Sequence, residues 1–444
     1  MRTMHPPRSS LSFAVALVAL IVPLWGGADG ASREPVHWVA TWASAHQAPR
    51  FAGRGGRAAN PPVPAAGAAT PSTPPQPTVP APTTPTPPVP DSFNNQTVRM
   101  IVRTSLGGGR IRVQFSNVFG TEPLELGAAH VARRSQGAST VDGTDRALTF
   151  GGASSITIPV GAVMLSDPVD LVVPPLSDLA ISVFVPREVA MPSWHLLALQ
   201  TTYISSEGNF TAAPTIAETR TRQAWYWVSE VDVVAPEPAG TIVAIGDSIT
   251  DGDNSTPNAN RSWPSVLAER VRASRSTAQL SVVNMGIAGN RVLTDGAGVS
   301  LLARFDRDVL SVAGVRWVLI TEGINDIGGI FRGTPVTEGA LIGALKQMIE
   351  RAHTHKIKVI GGTLTPFGGA NYYTDAGESV RIALNAFIRT SPELDGFVDF
   401  DAATRDATNE RQFRLGFNNR DHLHPNDAGY QAMADAVQLS LFKK

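Results

Sequence analysis

The hydrophobic rhythm of the chain changes once, near residue 240. Upstream, apolar residues come in short runs broken by turn formers; downstream, they come in continuous blocks that alternate with helical patterns. In the first part His37–Trp42 (HWVATW) reads as a strand and Thr97–Thr104 (TVRMIVRT) as its successor. Arg110–Ser116 (RIRVQFS) alternates polar and apolar positions, as a half-buried strand does. Leu148–Phe150, Ser155–Ile158, Asp170–Val173 and Leu179–Val185 continue the series. Gly107-Gly108-Gly109, Gly151-Gly152 and Ser166-Asp167-Pro168 supply turns. No amphipathic helix of useful length interrupts them, so the pattern predicts an all-β, jelly-roll-like sandwich over residues 32–238.

From residue 239 to residue 444 the pattern predicts a second domain of α/β class. Thr241–Ile245 (TIVAI) is a continuous apolar run, expected of a strand buried on both faces. A helical pattern at Trp263–Ala273, a strand at Leu280–Asn284, a helix at Leu301–Leu310 and a strand at Val315–Thr321 follow. Then come a long helix at about Thr337–His355, a strand at Lys358–Gly361, a helix at about Gly377–Thr390, a strand at Phe397–Phe400 and a last helix from Pro425 to Phe442. Such alternation predicts a parallel sheet covered on both faces.

Two stretches fit neither pattern. Residues 61–90 hold 13 prolines and no charged residue, a composition for an extended or disordered segment rather than a core. Because the strand His37–Trp42 needs a partner from beyond it, this segment reads as a long loop inside the first domain. At the N-terminus Arg2 and Arg8 precede the apolar run Leu11–Trp25, and small residues follow to Ala31. Basic, apolar, then small is the layout of a secretory signal peptide over residues 1–31, the other reading being an uncleaved anchor. The expectation is a protein secreted to the cell exterior or periplasm, with no stable membrane insertion.

Charge narrows the partners. Lys+Arg (37) and Asp+Glu (38) nearly cancel in 444 residues, so no global field draws the chain to nucleic acid. Cysteine is absent, which removes disulfides, thiolate metal sites and a cysteine nucleophile. His353 and His355 are two apart at a helix end and point away from each other. No GxxxxGK[ST] loop is present. No cofactor is expected.

Chemistry gathers at the carboxyl ends of the predicted parallel strands, where open α/β sheets place their sites. Gly246-Asp247-Ser248 follows the first strand, Asn284–Asn290 (NMGIAGN) the second, and Glu322–Asp326 (EGIND) the third; Asp421-His422-Leu423-His424 precedes the last helix. A serine hydroxyl needs a base to take its proton as it attacks, and a histidine held by an aspartate supplies one.

These four segments, within residues 240–442, resemble the signature blocks of the SGNH (GDSL-type) hydrolase superfamily. The resemblance implies a flavodoxin-like, three-layer α/β/α domain. It implies Ser248 as nucleophile, His424 as base and Asp421 as its partner. It further implies that the Ser248 and Gly289 amides and the Asn325 side chain form an oxyanion hole. The upstream β region resembles the part preceding the catalytic domain in bacterial secreted GDSL-type esterases. The expected activity is cleavage of acyl esters, short-chain or acetyl, through an acyl-enzyme on Ser248. The substrate is a small-molecule or polysaccharide ester. The alternative is a carbohydrate O-deacetylase or acyltransferase using the same site, its β domain binding polysaccharide through Trp38, Trp42, Trp194, Trp225 and Trp227.

Neighbouring residues receive supporting roles. His422 is passed over for His424 on the family spacing; Asp247 organises the serine loop; Asp326 is a structural neighbour of Asn325; and Trp263 packs in the core. Glu322 either lines the cleft or hydrogen-bonds in the interior. The segments 290–300, 328–335 and 366–374 are expected to rim the site.

Overall fold

A computed structural model describes residue 1 and residues 36–48, 92–190, 192–328 and 336–443. The apolar run Leu11–Trp25, the Pro-rich stretch 61–90 and residues 329–335 of the expected rim lie outside the described residues.

The run TIVAI forms part of the strand Gly240–Gly246, buried at every position. It is an inner strand of a five-stranded parallel sheet. The order is Leu280–Gly286, Gly240–Gly246, Val315–Thr321, Lys358–Gly362, Gly396–Val398. After Gly240–Gly246 the chain adds a strand on one side and then crosses to the other, so a crevice opens at the carboxyl ends where the order reverses. Gly246 pairs with Gly286 on one side and Thr321 on the other, which sets the three following loops side by side. Helix Trp263–Ala273 packs with Asp427–Ala436, and Glu338–Thr354 with Asp375–Thr390, all contributing to the core around the sheet.

Three predicted boundaries change, the first two through a contact distant in sequence and a local cap. The last helix stops at Ala436 and resumes as a short 3-10 turn at Leu439–Phe442. The Arg270 guanidinium donates to the Ala434 and Val437 carbonyls there, replacing the bonds a continued helix would make. The strand predicted to reach Phe400 ends at Val398. Asp399 accepts from the Ala402 amide and starts a helix at Phe400–Thr404. The helix at 301–310 is α-helical only to Phe305 and widens into a π turn at Asp306–Leu310.

The upstream region is antiparallel, in two large sheets and two small two-stranded ones, Leu124–Leu126 with Ile156–Ile158 and Trp194–His195 with Trp225–Tyr226. One large sheet joins Trp38–Ala43, Val228–Val234 and Gly108–Ser116, with Val163–Leu165 and Val169–Val173 both on the last. The other runs Glu218–Arg222, Thr202–Glu207, Gln96–Arg103, Asp178–Val185, Ala128–Arg133, Arg146–Leu148. Val39, Ile111 and Val231 from the first sheet share one apolar core with Val98, Met100 and Ile181 from the second. The strand Trp38–Ala43 finds its partner beyond the Pro-rich stretch, pairing Trp38 with Val234 and Ala43 with Glu230.

Trp42, Trp194 and Trp227 are buried in that core, and Trp38 and Trp225 are half-buried. Trp225 donates its indole N–H to the Ile101 carbonyl and meets the edge of Trp42 at 4.9 Å between ring centroids. Arg112 covers Trp38. These rings do not form an exposed aromatic platform.

The strand Trp38–Ala43 and the residues after it serve two cores. Val39 and Trp42 face the β core, whereas Ala40, Ala43 and Ala45 pack into the core of the α/β region. Backbone bonds cross the same seam. The Ala40 amide donates to the Ala313 carbonyl (2.9 Å), and Ser281 Oγ donates to the Ala40 carbonyl (2.6 Å). His37–Lys444 form a single compact unit. Among the described residues, no helix is long and apolar enough to cross a membrane.

Candidate active site

The strand Gly240–Gly246 delivers Asp247 and Ser248 at the open end of the sheet. A Cβ on Gly246 would stand 2.1 Å from the Thr321 carbonyl oxygen, so only glycine lets the chain turn here against the neighbouring strand. Ser248 then opens a helix of four residues, Ser248–Asp251, capped by Asp247, whose Oδ1 accepts from the Ile249 amide at 2.9 Å. Asp247 thereby takes the loop-organising place expected of it. Its other carboxylate oxygen is buried with no partner among the described residues, and burial raises its pKa to about 7.

Ser248 Oγ lies 2.8 Å from His424 Nε2, and His424 Nδ1 lies 2.7 Å from Asp421 Oδ2. The two segments are joined only by tertiary structure. Asp421 Oδ1 also accepts from the Leu423 and His424 amides, both at 3.0 Å, and Asn254 Nδ2 donates to Oδ2 at 2.9 Å. Although partial burial opposes ionisation, these donors and His424 hold the Asp421 carboxyl well below the usual carboxylate range. Burial would lower the His424 pKa. The Asp421 hydrogen bond and the carboxylates of Asp253, Asp421 and Asp247 outweigh it, and the net shift is upward from 6.5. An ionised carboxylate fixed on Nδ1 leaves Nε2 free to exchange a proton with the serine hydroxyl.

Gly289 sits in the loop after one of the two strands flanking Gly240–Gly246, and Asn325 in the short helix Ile324–Gly328 that follows the other. Gly289 has a φ of 75°, a left-handed conformation that suits glycine. Asn325 Nδ2 donates one hydrogen to the Asn290 carbonyl at 3.0 Å, linking this helix to the Gly289 loop and leaving its second N–H for another acceptor. Asp326, in the same helix, ties it to the segment after Gly289, accepting from the Val292 amide at 2.8 Å and the Leu293 amide at 3.1 Å.

His422 is exposed with its ring against Gly369, and none of its atoms reaches Ser248 through a hydrogen bond. Trp263 is wholly buried against Phe400. Glu322 matches neither expectation cleanly. It is buried, and neither carboxyl oxygen has a hydrogen-bond partner among the described residues. Burial, then the neighbouring Asp247, push its pKa well up. A neutral acid in an apolar pocket with Val292, Ile320 and Leu341 follows from that environment.

Three contributors escaped the sequence reading. Asn254 holds Asp421, and the Asp253 carboxylate stands 3.7 Å from His424 Nε2; both directly follow the serine segment, and that adjacency was a usable signal. His195 comes from the β region and meets Asp251 Oδ1 at 2.9 Å. Nothing in the local sequence of either residue announces that pairing. A cavity of about 90 Å³ lies in the same seam, its walls including His195, Asp251, Trp42, Trp225, Gln200 and Asn260.

No curated protein sequence matches this chain. Solved structures similar to it include a candidate lipolytic protein of the G-D-S-L family from Desulfitobacterium hafniense DCB-2. That pair shares 25% identity over 44% of this chain and 96% of the other, with a TM-score of 0.35. A GDSL-like lipase from Bacteroides thetaiotaomicron VPI-5482 shares 21% identity over 47% of this chain and 91% of the other, with a TM-score of 0.36. An acetylxylan esterase from Geobacillus stearothermophilus shares 21% over 46% and 95%, also at 0.36. The family model that matches is the GDSL-like lipase/acylhydrolase family, over residues 244–432, a span that holds the serine, glycine, asparagine and Asp-x-x-His segments. Residues 244–432 therefore carry a GDSL-like lipase/acylhydrolase domain, of the SGNH hydrolase type, which makes this region an acylhydrolase domain.

Proposed function

We propose that this acylhydrolase is a secreted carboxylic-ester hydrolase that cleaves short acyl esters, acetyl esters included, through an acyl-enzyme on Ser248. The observation that carries the reading is the unbroken line Ser248 Oγ–His424 Nε2 (2.8 Å), His424 Nδ1–Asp421 Oδ2 (2.7 Å). Secretion rests on the basic, apolar, small-residue order of the N-terminus.

Ser248 Oγ attacks the ester carbonyl carbon as His424 Nε2 takes its proton. The carbonyl oxygen becomes an oxyanion, met by the amides of Ser248 and Gly289 and the free N–H of Asn325. The tetrahedral species collapses as His424 returns the proton to the departing alkoxide, leaving Ser248 acylated and the alcohol released. Water then repeats the sequence, with His424 taking its proton, and the carboxylic acid leaves. Asp421 stays ionised throughout and steadies the imidazolium.

The reading is tested by turning the protein over on p-nitrophenyl butyrate, quenching in acid and mapping the adduct by mass spectrometry. A butyryl group on the peptide containing Ser248 is expected. Ester turnover with the adduct elsewhere, or no turnover of acetate, butyrate or acetylated xylan, sinks it.

A pH dependence follows. The base must be neutral, so kcat/KM falls as pH drops through the His424 pKa, and because that pKa is raised the acid limb lies above 6.5. Asp253 is among the groups that raise it, so Asp253→Asn should move the acid limb to lower pH. A kcat/KM profile for p-nitrophenyl acetate checks both statements; an acid limb that does not move in the variant removes Asp253 from the account.

A further inference from the structure

The β region reaches into the hydrolytic site at a position distinct from the Ser–His–Asp line. His195, on the short strand Trp194–His195, is buried with its side chain 2% exposed, and its partner Asp251 is 5% exposed. His195 Nδ1 lies 2.8 Å from the Ala45 carbonyl oxygen, which can only accept, so Nδ1 carries a proton. On the other side one proton is shared along Nε2–Asp251 Oδ1, whichever atom holds it. Asp251 Oδ2 in turn accepts from the Ala288 amide at 2.9 Å.

Ala288 is the residue before Gly289. The chain of contacts thus runs from the Ala45 carbonyl through His195 and Asp251 to the loop that carries the glycine amide. A second contact reaches that loop from the same direction. Gln47 donates through its side-chain amide to the Ala297 carbonyl and accepts from the Leu196 amide at 3.3 Å. Ala297 abuts Gly289 so closely that a Cβ on the glycine would stand 2.9 Å from the alanine Cβ. The left-handed Gly289 is therefore held on two sides by residues anchored in the β region.

We infer that His195 and Asp251 are positioning residues. They fix the segment Gly286–Asn290 so that the Gly289 amide meets the oxyanion, and the β region thereby completes the hydrolytic site. This inference rests on the ester-hydrolase reading for its catalytic consequence, but the clamp itself has an independent readout. Because an amide misplaced by a fraction of an ångström loses much of its effect, the cost falls on the chemical step rather than on ground-state binding.

Full-length Asp251→Ala, Asp251→Asn and His195→Phe are the variants. Asparagine preserves the pattern: Nδ2 donates to His195 Nε2, and Oδ1 accepts from the Ala288 amide. Hydrogen exchange of peptides spanning Gly286–Asn290 should quicken at least about tenfold in Asp251→Ala and His195→Phe and stay near wild type in Asp251→Asn. On p-nitrophenyl acetate, with active sites titrated by a fluorophosphonate, kcat per site should fall about 10- to 100-fold in the first two variants. KM should stay within about twofold, and Asp251→Asn should keep most of the rate. An unchanged kcat per titrated site overturns the inference, as does a rise in KM alone. Two variants that merely fail to fold also overturn it, since the pair is then a folding requirement. Should the wild-type protein hydrolyse no ester while the exchange pattern holds, the functional reading fails and the clamp stands.

Discussion

Ser248→Ala is expected to lower kcat/KM for p-nitrophenyl acetate by about 10⁴- to 10⁶-fold with the fold intact. The hydroxyl makes one side-chain hydrogen bond, to His424, and Ser248 is 5% exposed, so its removal leaves a small gap at the surface of the crevice rather than in the core. The first residue of the helix Ser248–Asp251 is as well served by alanine, and the Asp247 cap and the Gly252 amide bond to the Ser248 carbonyl do not involve the hydroxyl. Far-UV circular dichroism and the melting temperature should match wild type. A folded variant that retains more than about a tenth of the activity would show that the nucleophile lies elsewhere.

Asp421→Asn is expected to cost about 10³- to 10⁴-fold in kcat, although it changes the side chain by a single group. Two acceptor oxygens serve four donors here: the Leu423 and His424 amides on Oδ1, and His424 Nδ1 and Asn254 Nδ2 on Oδ2. An asparagine that keeps its oxygen on the backbone amides presents Nδ2–H to His424 Nδ1. The imidazole must then accept at Nδ1 and bear its hydrogen on Nε2, facing Ser248 with a donor where an acceptor is needed. The same Nδ2 also faces the Asn254 amide, donor against donor. Activity should stay depressed through the alkaline range, since raising pH cannot restore the tautomer. A near-wild-type kcat would mean that Asp421 serves only to cap its own turn.

The parallel sheet was legible because its strands are apolar on both faces, as Thr241–Ile245 and Val315–Thr321 display without reference to anything else. The serine, glycine, asparagine and Asp-x-x-His segments fall near strand ends or a helix start that periodicity could place, but the roles within them came from the resemblance to the SGNH signature blocks. Val228–Val234 was missed for the converse reason. Its sequence, VSEVDVV, puts Glu230 and Asp232 inside the protein. Arg112 at 2.7 Å makes Asp232 tolerable there, and Glu230, pushed up by burial and by Asp232, accepts from the Ala313 amide. Those partners lie about a hundred residues away, beyond the reach of a local pattern. The early end of the last helix has the same origin in Arg270, and so does the pairing of His195 with Asp251. Local rhythm reports burial, whereas a polar residue that is buried on account of a distant partner looks, in sequence, like a surface one.

The strand Trp38–Ala43 gives its two faces, exchanged at a bulge between Ala40 and Trp42, to different cores, and this separates two lengths that are easily equated. The recognisable signature runs from residue 244 to residue 432, but the compact unit that contains it begins at His37. A segment cut at the edge of the signature would carry Ser248, Gly289, Asn325, Asp421 and His424. It would leave behind the alanines that seal the sheet's flank and the histidine that steadies the oxyanion loop. The β region and the parallel sheet are therefore one packed body, and a cut at the motif boundary would open its core.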